Sequence, residues 1–224
     1  MPQLYTLLET RVLGALIEKE ATVPDSYPLT LNSLLSACNQ KTSRDPVIET
    51  TEEEIQATLD SLKRRSLILE TSGGRAMRYA HNTGRVFHLD SSSVAILAVL
   101  LLRGPQTSGE LRINSERLYK FADISSVETV LASMANRNEI TGHAGKLVML
   151  LPKVPGTREA RWCHLLSGEP EISHSANASH SPASSDVVAV SEIVVLKSRV
   201  EALELKLATL EIWAKQLDPE LSLD

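Results

Sequence analysis

Hydrophobic residues recur at helical spacing in three successive segments near the start of the chain, namely 7–19, 31–38 and 51–65. Thr30 stands before the second segment as a favourable N-cap, and Thr51 with Glu54 forms a capping box before the third. Two short apolar runs then flank Gly73-Gly74, which is a hairpin signal. The pattern predicts three helices and a β-hairpin, the order of elements in a winged helix.

The same order recurs further along the chain. A shift of 72 residues carries the third helix onto a later one, pairing Ile55 with Val127, Leu59 with Leu131, Leu62 with Met134, Arg65 with Arg137 and Ile68 with Ile140. The second copy has a first helix over 93–102, capping boxes at 107–110 and 125–128, and a wing over 142–166. We therefore predict two tandem winged-helix domains, 1–90 and 91–166, in a fold that is mainly α with small β-hairpin wings (α+β).

The rest of the chain divides into a polar segment and a heptad pattern. Residues 167–185 are mostly Ser, Pro, His, Asn and Ala, the composition of a flexible linker. Within 186–218, apolar residues alternate spacings of three and four and form a seam of Ile193, Leu196, Val200, Leu203, Leu207, Leu210, Ala214 and Leu217. This pattern predicts a C-terminal coiled-coil helix that makes a parallel homodimer. The alternative is that the same helix folds back on the winged-helix domains.

Charge is distributed unevenly along the chain. The net charge is −5, but residues 1–90 carry 10 basic and 12 acidic side chains, 91–166 carry 9 and 6, and 167–224 carry 4 and 10. The acidity thus belongs to the C-terminal part. The body is close to neutral, which neither supplies nor forbids a basic face for phosphate.

No catalytic, cofactor or metal motif is recognisable in the sequence. Cys38 and Cys163 lie in apolar surroundings without a partner at a metal or redox spacing, and are interpreted as small core residues. We found no nucleophile beside a base, phosphate loop or metal quartet, so we expect a protein that is not an enzyme and has no cofactor. The longest apolar run, Val94–Leu102, is too short to span a bilayer, and we expect a cytoplasmic location without membrane contact.

Basic residues lie mainly in loops and wings, where winged helices often approach DNA. The third helices themselves are not basic. The candidate nucleic-acid contacts are Lys41, Arg44, Arg75, Arg78, Arg112, Arg117, Arg158 and Arg161. The third helix of the first copy begins with Glu52-Glu53-Glu54, which is unfavourable next to phosphate. That of the second copy offers only neutral candidates for base contacts, namely Ser126, Thr129, Ser133 and Asn136. For each basic cluster, the alternative is a solvated or salt-bridged surface, with Arg44–Asp45 and Arg158–Glu159 as the expected local pairs.

Several motifs resemble one bacterial family. They are NQK at 39–41 with RDP at 44–46, LLRGPQTSGELR at 101–112, and PGTRE at 155–159 with HLL at 164–166. On these motifs the chain resembles the YceH-like family over about residues 3–166. The resemblance implies a tandem winged-helix fold and no established activity.

Two functions are compatible with these features. The first is a DNA-binding protein, such as a transcriptional regulator, that acts as a dimer with four winged helices. The second is a protein-interaction adaptor without direct DNA readout, resembling the winged-helix accessory subunit of chromosome-condensation complexes. The fold and the basic wings favour the first; the acidic third helix and acidic C-terminal part favour the second.

Overall fold

The protein has an α+β fold in a computed structural model that describes residues 4–72, 74, 76–138, 145–153 and 156–170. The described residues contain seven α-helices, a three-stranded sheet and a two-stranded sheet, both antiparallel. No helix in these ranges is long and apolar enough to cross a membrane. The heptad seam lies outside the described residues, and the predicted linker is described only to residue 170.

The first half of this body, residues 4–90, contains the predicted helices and hairpin. Its elements are α1 (Leu7–Thr22), β1 (Leu29–Thr30), α2 (Leu31–Cys38), α3 (Glu52–Arg64), β2 (Ile68–Ser72), β3 (Met77–His81) and the short α4 (Thr83–Val86). Thr30 caps α2 by accepting a hydrogen bond from the Ser33 N–H, and the capping box of Thr51 and Glu54 opens α3. Those two local predictions are confirmed.

The second half, residues 91–166, repeats the series with shorter strands. Its elements are α5 (Ser91–Arg103), α6 (Ser108–Asn114), α7 (Ile124–Ala135), β4 (Val148–Leu150) and β5 (Trp162–His164). The capping box of Thr107 and Glu110 is confirmed at the start of α6. The box predicted at Ser125 and Glu128 is wrong, because Asp123 caps α7 and accepts a hydrogen bond from the Ser126 N–H.

Both sheets are small. In the first half the strand order is β1-β3-β2, with Leu29 opposite Tyr79 and Ile68 opposite His81. The two-residue strand β1 was not predicted, because two residues carry no detectable periodicity. In the second half β4 pairs with β5, and a backbone bridge joins Trp162 to Gln106 just before α6. Each hairpin therefore follows the third helix of its half.

The two halves share one hydrophobic core. The described residues between 4 and 170 belong to a single compact unit, and one cluster of buried residues includes Leu16 and Leu59 from the first half with Leu100 and Leu131 from the second. The two halves approach each other closely at Gly14 of α1, where a Cβ would lie 2.8 Å from Leu102 Cγ of α5. A glycine here lets the two helices approach closely. The predicted boundary at residue 90 falls just before α5, and the division into two domains stays a prediction.

The stripe that suggested the duplication is buried in both halves. Ile55, Leu59 and Leu62 on α3, and Val127, Leu131 and Met134 on α7, are at most 1% exposed. Ile140 lies outside the described residues. Cys38 and Cys163 are free and buried, as expected for small core residues.

Candidate nucleic-acid interface

Arg44, one of the predicted DNA contacts, lies inside the first half. Its side chain is fully buried, and Nη2 donates to Glu18 Oε2 at 2.6 Å and to Gln40 Oε1 at 2.7 Å. The same nitrogen lies 3.1 Å from the carbonyl oxygen of Ala37. The guanidinium therefore binds α1 and the end of α2 rather than facing solvent. The local pair expected with Asp45 is replaced by the pair with Glu18.

A second buried arginine stabilises the same loop. Arg11 of α1 is 0% exposed, and its Nη1 and Nη2 donate to the carbonyl oxygens of Cys38 at 3.4 Å and Pro46 at 2.5 Å. Burial, together with the nearby Arg44 charge, lowers the pKa of Arg11. This role could not be predicted from the sequence, because the two acceptors are backbone atoms 27 and 35 residues away.

The remaining basic candidates of the first half differ in exposure. Lys41 is exposed in the loop after α2. Arg78 of β3 is half-buried and donates from Nη1 to the Pro28 carbonyl oxygen at 2.7 Å, so it joins the hairpin to the turn before β1. Arg75 lies outside the described residues.

The outer face of α3 is acidic. Glu52, Glu53 and Asp60 are exposed on it. Backbone N–H groups at the start of the helix bind the carboxylates of Glu53 and Glu54 and lower the pKa of both, so these groups stay ionised. Near the other end Lys63 pairs with Glu70 of β2. Phosphate would meet repulsion along most of this helix.

Exposed cations of the second half gather where the chain passes from α6 to α7. Arg112, Arg117 and Lys120 are all exposed, and we call these three residues the basic corner. Leu111 and Phe121, 0% and 6% exposed, anchor the two ends of the corner in the core. In helix-turn-helix proteins, this part of the fold lies next to the DNA backbone.

Apolar side chains are exposed beside the basic corner. Ile113 is 68% exposed, Ile124 is 47% and Tyr119 is 39%, with the Tyr119 ring 4.8 Å from that of Phe121. Exposed apolar residues next to cations are typical of surfaces that bind a macromolecule.

The outer face of α7 is almost free of charge. The exposed residues of α7 and its C-cap are Ile124, Ser125, Glu128, Thr129, Ala132, Ser133 and Asn136. Two of the predicted base contacts have their hydroxyl groups engaged within the helix, since Ser126 Oγ donates to the Asp123 carbonyl at 2.7 Å and Thr129 Oγ1 to that of Ser125 at 2.9 Å. Ser133 and Asn136 make no side-chain hydrogen bond to another described residue. They stay available for external contacts.

The wing of the second half contributes further cations. Lys153 and Arg158 are exposed. Arg161 is half-buried; its Nη2 lies 3.2 Å from Glu110 Oε1, and its Nη1 donates to the Pro105 carbonyl oxygen at 2.9 Å. Within the described ranges Arg158 makes no ion pair with Glu159.

A polar network positions α6 against the first half. Arg103, near the end of α5, donates from Nη2 to Ser43 Oγ at 2.8 Å and from Nη1 to Asn114 Oδ1 at 3.0 Å. Asn114 in turn donates to Gln106 Oε1 at 2.6 Å. Gln106 is buried and its backbone pairs with Trp162 of β5. The network joins the loop of the first half to the helix that begins the basic corner.

The described part of the chain contains no group of three or more His, Cys, Asp or Glu side chains that could hold a metal ion. Burial lowers the pKa of His164 on β5 to about 4, and its Nδ1 has no hydrogen-bond partner among the described residues. Burial also raises the pKa of Cys38 to about 12, so its thiol is not a nucleophile at neutral pH.

Comparison with known proteins identifies the family. Residues 5–157 match the family described as "Protein of unknown function, DUF480". A UPF0502 protein of Acidovorax sp. (strain JS42) is 50% identical over 216 residues, 96% of this chain and 93% of the relative. Those of Dechloromonas aromatica and Methylibium petroleiphilum are 51% and 48% identical, over 92% and 99% of this chain and 92% of each relative. These matches confirm the resemblance noted from the sequence motifs. The chain belongs to the DUF480, or UPF0502, family of bacterial proteins.

Proposed function

We propose that this chain is a non-enzymatic, tandem winged-helix protein that binds duplex DNA through its second half in the cytoplasm. In this proposal α1–α3 with the β2–β3 hairpin form one winged helix, and α5–α7 with the β4–β5 hairpin form the other. The support is the matching order of helices and hairpin in the two halves, and the equal burial of α3 and α7.

The observation that carries the proposal is the contrast between the two third helices. On α3 the exposed face bears Glu52, Glu53 and Asp60, and Arg44 and Arg78 bind groups of the protein itself. On α7 the exposed face is polar and nearly uncharged. The basic corner precedes α7 in the chain, and the wing cations follow it. Phosphate contacts by the flanking cations would position α7, whose side chains would meet base edges.

The acidic face of α3 favours a second role for the first half. A helix with four exposed carboxylates, those of Glu52, Glu53, Glu54 and Asp60, is repelled by phosphate but suits a basic protein surface. An adaptor that docks proteins through the first half, without direct DNA readout, is the alternative function. It predicts a stoichiometric protein partner and no salt-sensitive DNA binding.

The heptad pattern at 193–217 adds a proposal about assembly. A parallel homodimer through this seam would present two copies of the DNA-binding half, so that two weak interactions act together on one duplex. An operator would then have two half-sites related by a twofold axis.

Fluorescence anisotropy of the full chain with a labelled random duplex tests the proposal. We expect binding that weakens steeply as salt rises, since phosphate contacts release counterions. Replacing Arg112, Arg117 and Lys120 by Ala should lower the slope of log affinity against log salt by about 2 to 3, because each lost phosphate contact contributes about 0.9.

A variant of the first half with the same change in charge provides the comparison. Lys41, Arg64 and Arg85 are all exposed, and replacing them by Ala removes three cations from the first half. We expect this variant to bind almost as the wild type does. Equal losses in both variants would show binding by net charge rather than by the second half, and no binding at low salt would favour the adaptor.

A further inference from the structure

The N-terminal turns of α7 expose one apolar and one acidic side chain. Ile124, the first residue of the helix, is 47% exposed, and Glu128 one turn later is also exposed. Residues four apart on a helix are neighbours on its surface. The pair therefore forms one continuous apolar and acidic contact surface on the N-terminal turns of α7.

Glu128 forms no ion pair in the described part of the chain, and Asp123 already caps the helix. Ile124 leaves nearly half of its surface in water, whereas Val127 and Leu131 supply the buried contacts of the helix.

Glu128 is also an unusual residue for sequence-independent DNA binding. Its carboxylate faces outward on the same helix face as Ser125 and Ala132, and would repel phosphate wherever the protein is not in its correct register. On a helix that lies in the major groove, a carboxylate is favourable where it accepts a hydrogen bond from a base. In the major groove cytosine N4 is the donor that suits Glu, and the thymine methyl group is the apolar surface that suits an aliphatic side chain.

We propose that α7 reads base sequence through these two residues, with Glu128 accepting from cytosine N4 and Ile124 packing against the methyl group of a neighbouring thymine. This inference rests on the proposed DNA binding by the second half. The two residues lie on the N-terminal turns, which are the part of a recognition helix that meets base edges. The basic corner contributes affinity for any DNA sequence. Glu128 lowers the affinity for incorrect sites, so it contributes specificity.

Selection from a random duplex library with the full-length chain tests the inference. We expect the wild type to enrich a motif that contains a cytosine next to a thymine. In Glu128→Gln the preference at the cytosine position should change to adenine, because a glutamine amide pairs with adenine N6 and N7. Ile124→Ser should lose preference only at the thymine position. Each change should alter discrimination at its own position by about fivefold to 150-fold, the usual effect of one mismatched base pair.

Glu116→Gln is the matched control. Glu116 is exposed between Arg112 and Arg117, so this variant has the same change in charge as Glu128→Gln but lies off α7. It should strengthen binding slightly and leave the motif unchanged. All three positions are exposed, and unchanged thermal unfolding of the variants will show that they fold.

The outcomes separate this inference from the proposed function. A cytosine preference that changes in Glu128→Gln alone supports it. Salt-sensitive binding without an enriched motif, or a motif that both α7 variants retain, would overturn the inference and leave DNA binding standing. No binding to any duplex at low salt would overturn both.

Discussion

Removing Arg44 should destabilise the protein rather than weaken DNA binding directly. Its guanidinium is 0% exposed, the Glu18 carboxylate is 16% exposed, and the two are 2.6 Å apart. Breaking a buried pair by removing one partner costs about 3–5 kcal/mol. Lys19 lies 3.3 Å from the same carboxylate and compensates in part, so we expect Arg44→Ala to lose about 3 kcal/mol of unfolding free energy.

Urea unfolding measures this loss, and Arg64→Ala is the control. Arg64 is exposed at the end of α3, so its removal should change stability by less than about 0.5 kcal/mol. The double variant Arg44→Ala/Glu18→Ala should lose much less unfolding free energy than the two single variants lose together. In the double variant no unpaired carboxylate remains in the protein. An Arg44→Ala protein that is as stable as the wild type yet binds DNA weakly would refute the structural role.

The same pair predicts an acid-sensitive part of the stability. Burial of Glu18 opposes its ionisation, but the hydrogen bonds and charges of Arg44 and Lys19 outweigh it and lower the pKa below the usual 4.5. The unfolded state therefore binds the proton first as the pH falls. The stabilisation is complete above about pH 4.5 and is lost as the pH drops through the lower folded-state pKa. Arg44→Ala should show a smaller loss of stability over this range.

Three further predictions concern other parts of the chain. Gly14→Ala should lower the stability by about 1–2 kcal/mol in urea unfolding, because its Cβ would lie 2.8 Å from Leu102 Cγ, whereas Gly109→Ala, whose Cβ would meet only Thr107 Oγ1 at 4.0 Å, should not. His164 should contribute about 2 kcal/mol to the loss of stability between pH 6.5 and 4, because the unfolded state protonates this histidine before the folded state does. His164→Gln should remove this contribution. Leu203→Lys combined with Leu210→Lys should convert a dimer to a monomer in sedimentation equilibrium, and an unchanged mass would contradict the seam.

The sequence predicted the elements whose signals are local. The caps at Thr30, Thr51 and Thr107 depend on contacts three residues away, so they were identified correctly. The box at Ser125 was wrong although its pattern fits, because Asp123 is an equally good cap and lets the helix begin two residues earlier. Local patterns cannot decide between two adjacent caps when both are compatible with the buried stripe.

Sequence could not tell which arginines face solvent. Arg44 lies in a polar loop, where a surface residue is expected. It is buried instead, because it pairs with Glu18, 26 residues earlier in the chain. Arg112 and Arg117 have equally polar surroundings but remain exposed. The difference arises from the packing of α1 and α2 against the loop that follows α2. The pattern of residues within that loop does not reveal this packing. The acidic face of α3, by contrast, was predictable because helical periodicity alone assigns its exposed positions.

Hydrogen–deuterium exchange of the full chain with and without a duplex tests the central claim most directly, because it locates the bound surface without any substitution. The account predicts that DNA slows exchange over residues 108–135, which contain α6, the basic corner and α7, and leaves residues 52–72, which contain α3 and β2, unchanged. Slower exchange over 52–72 with none over 108–135 would contradict it.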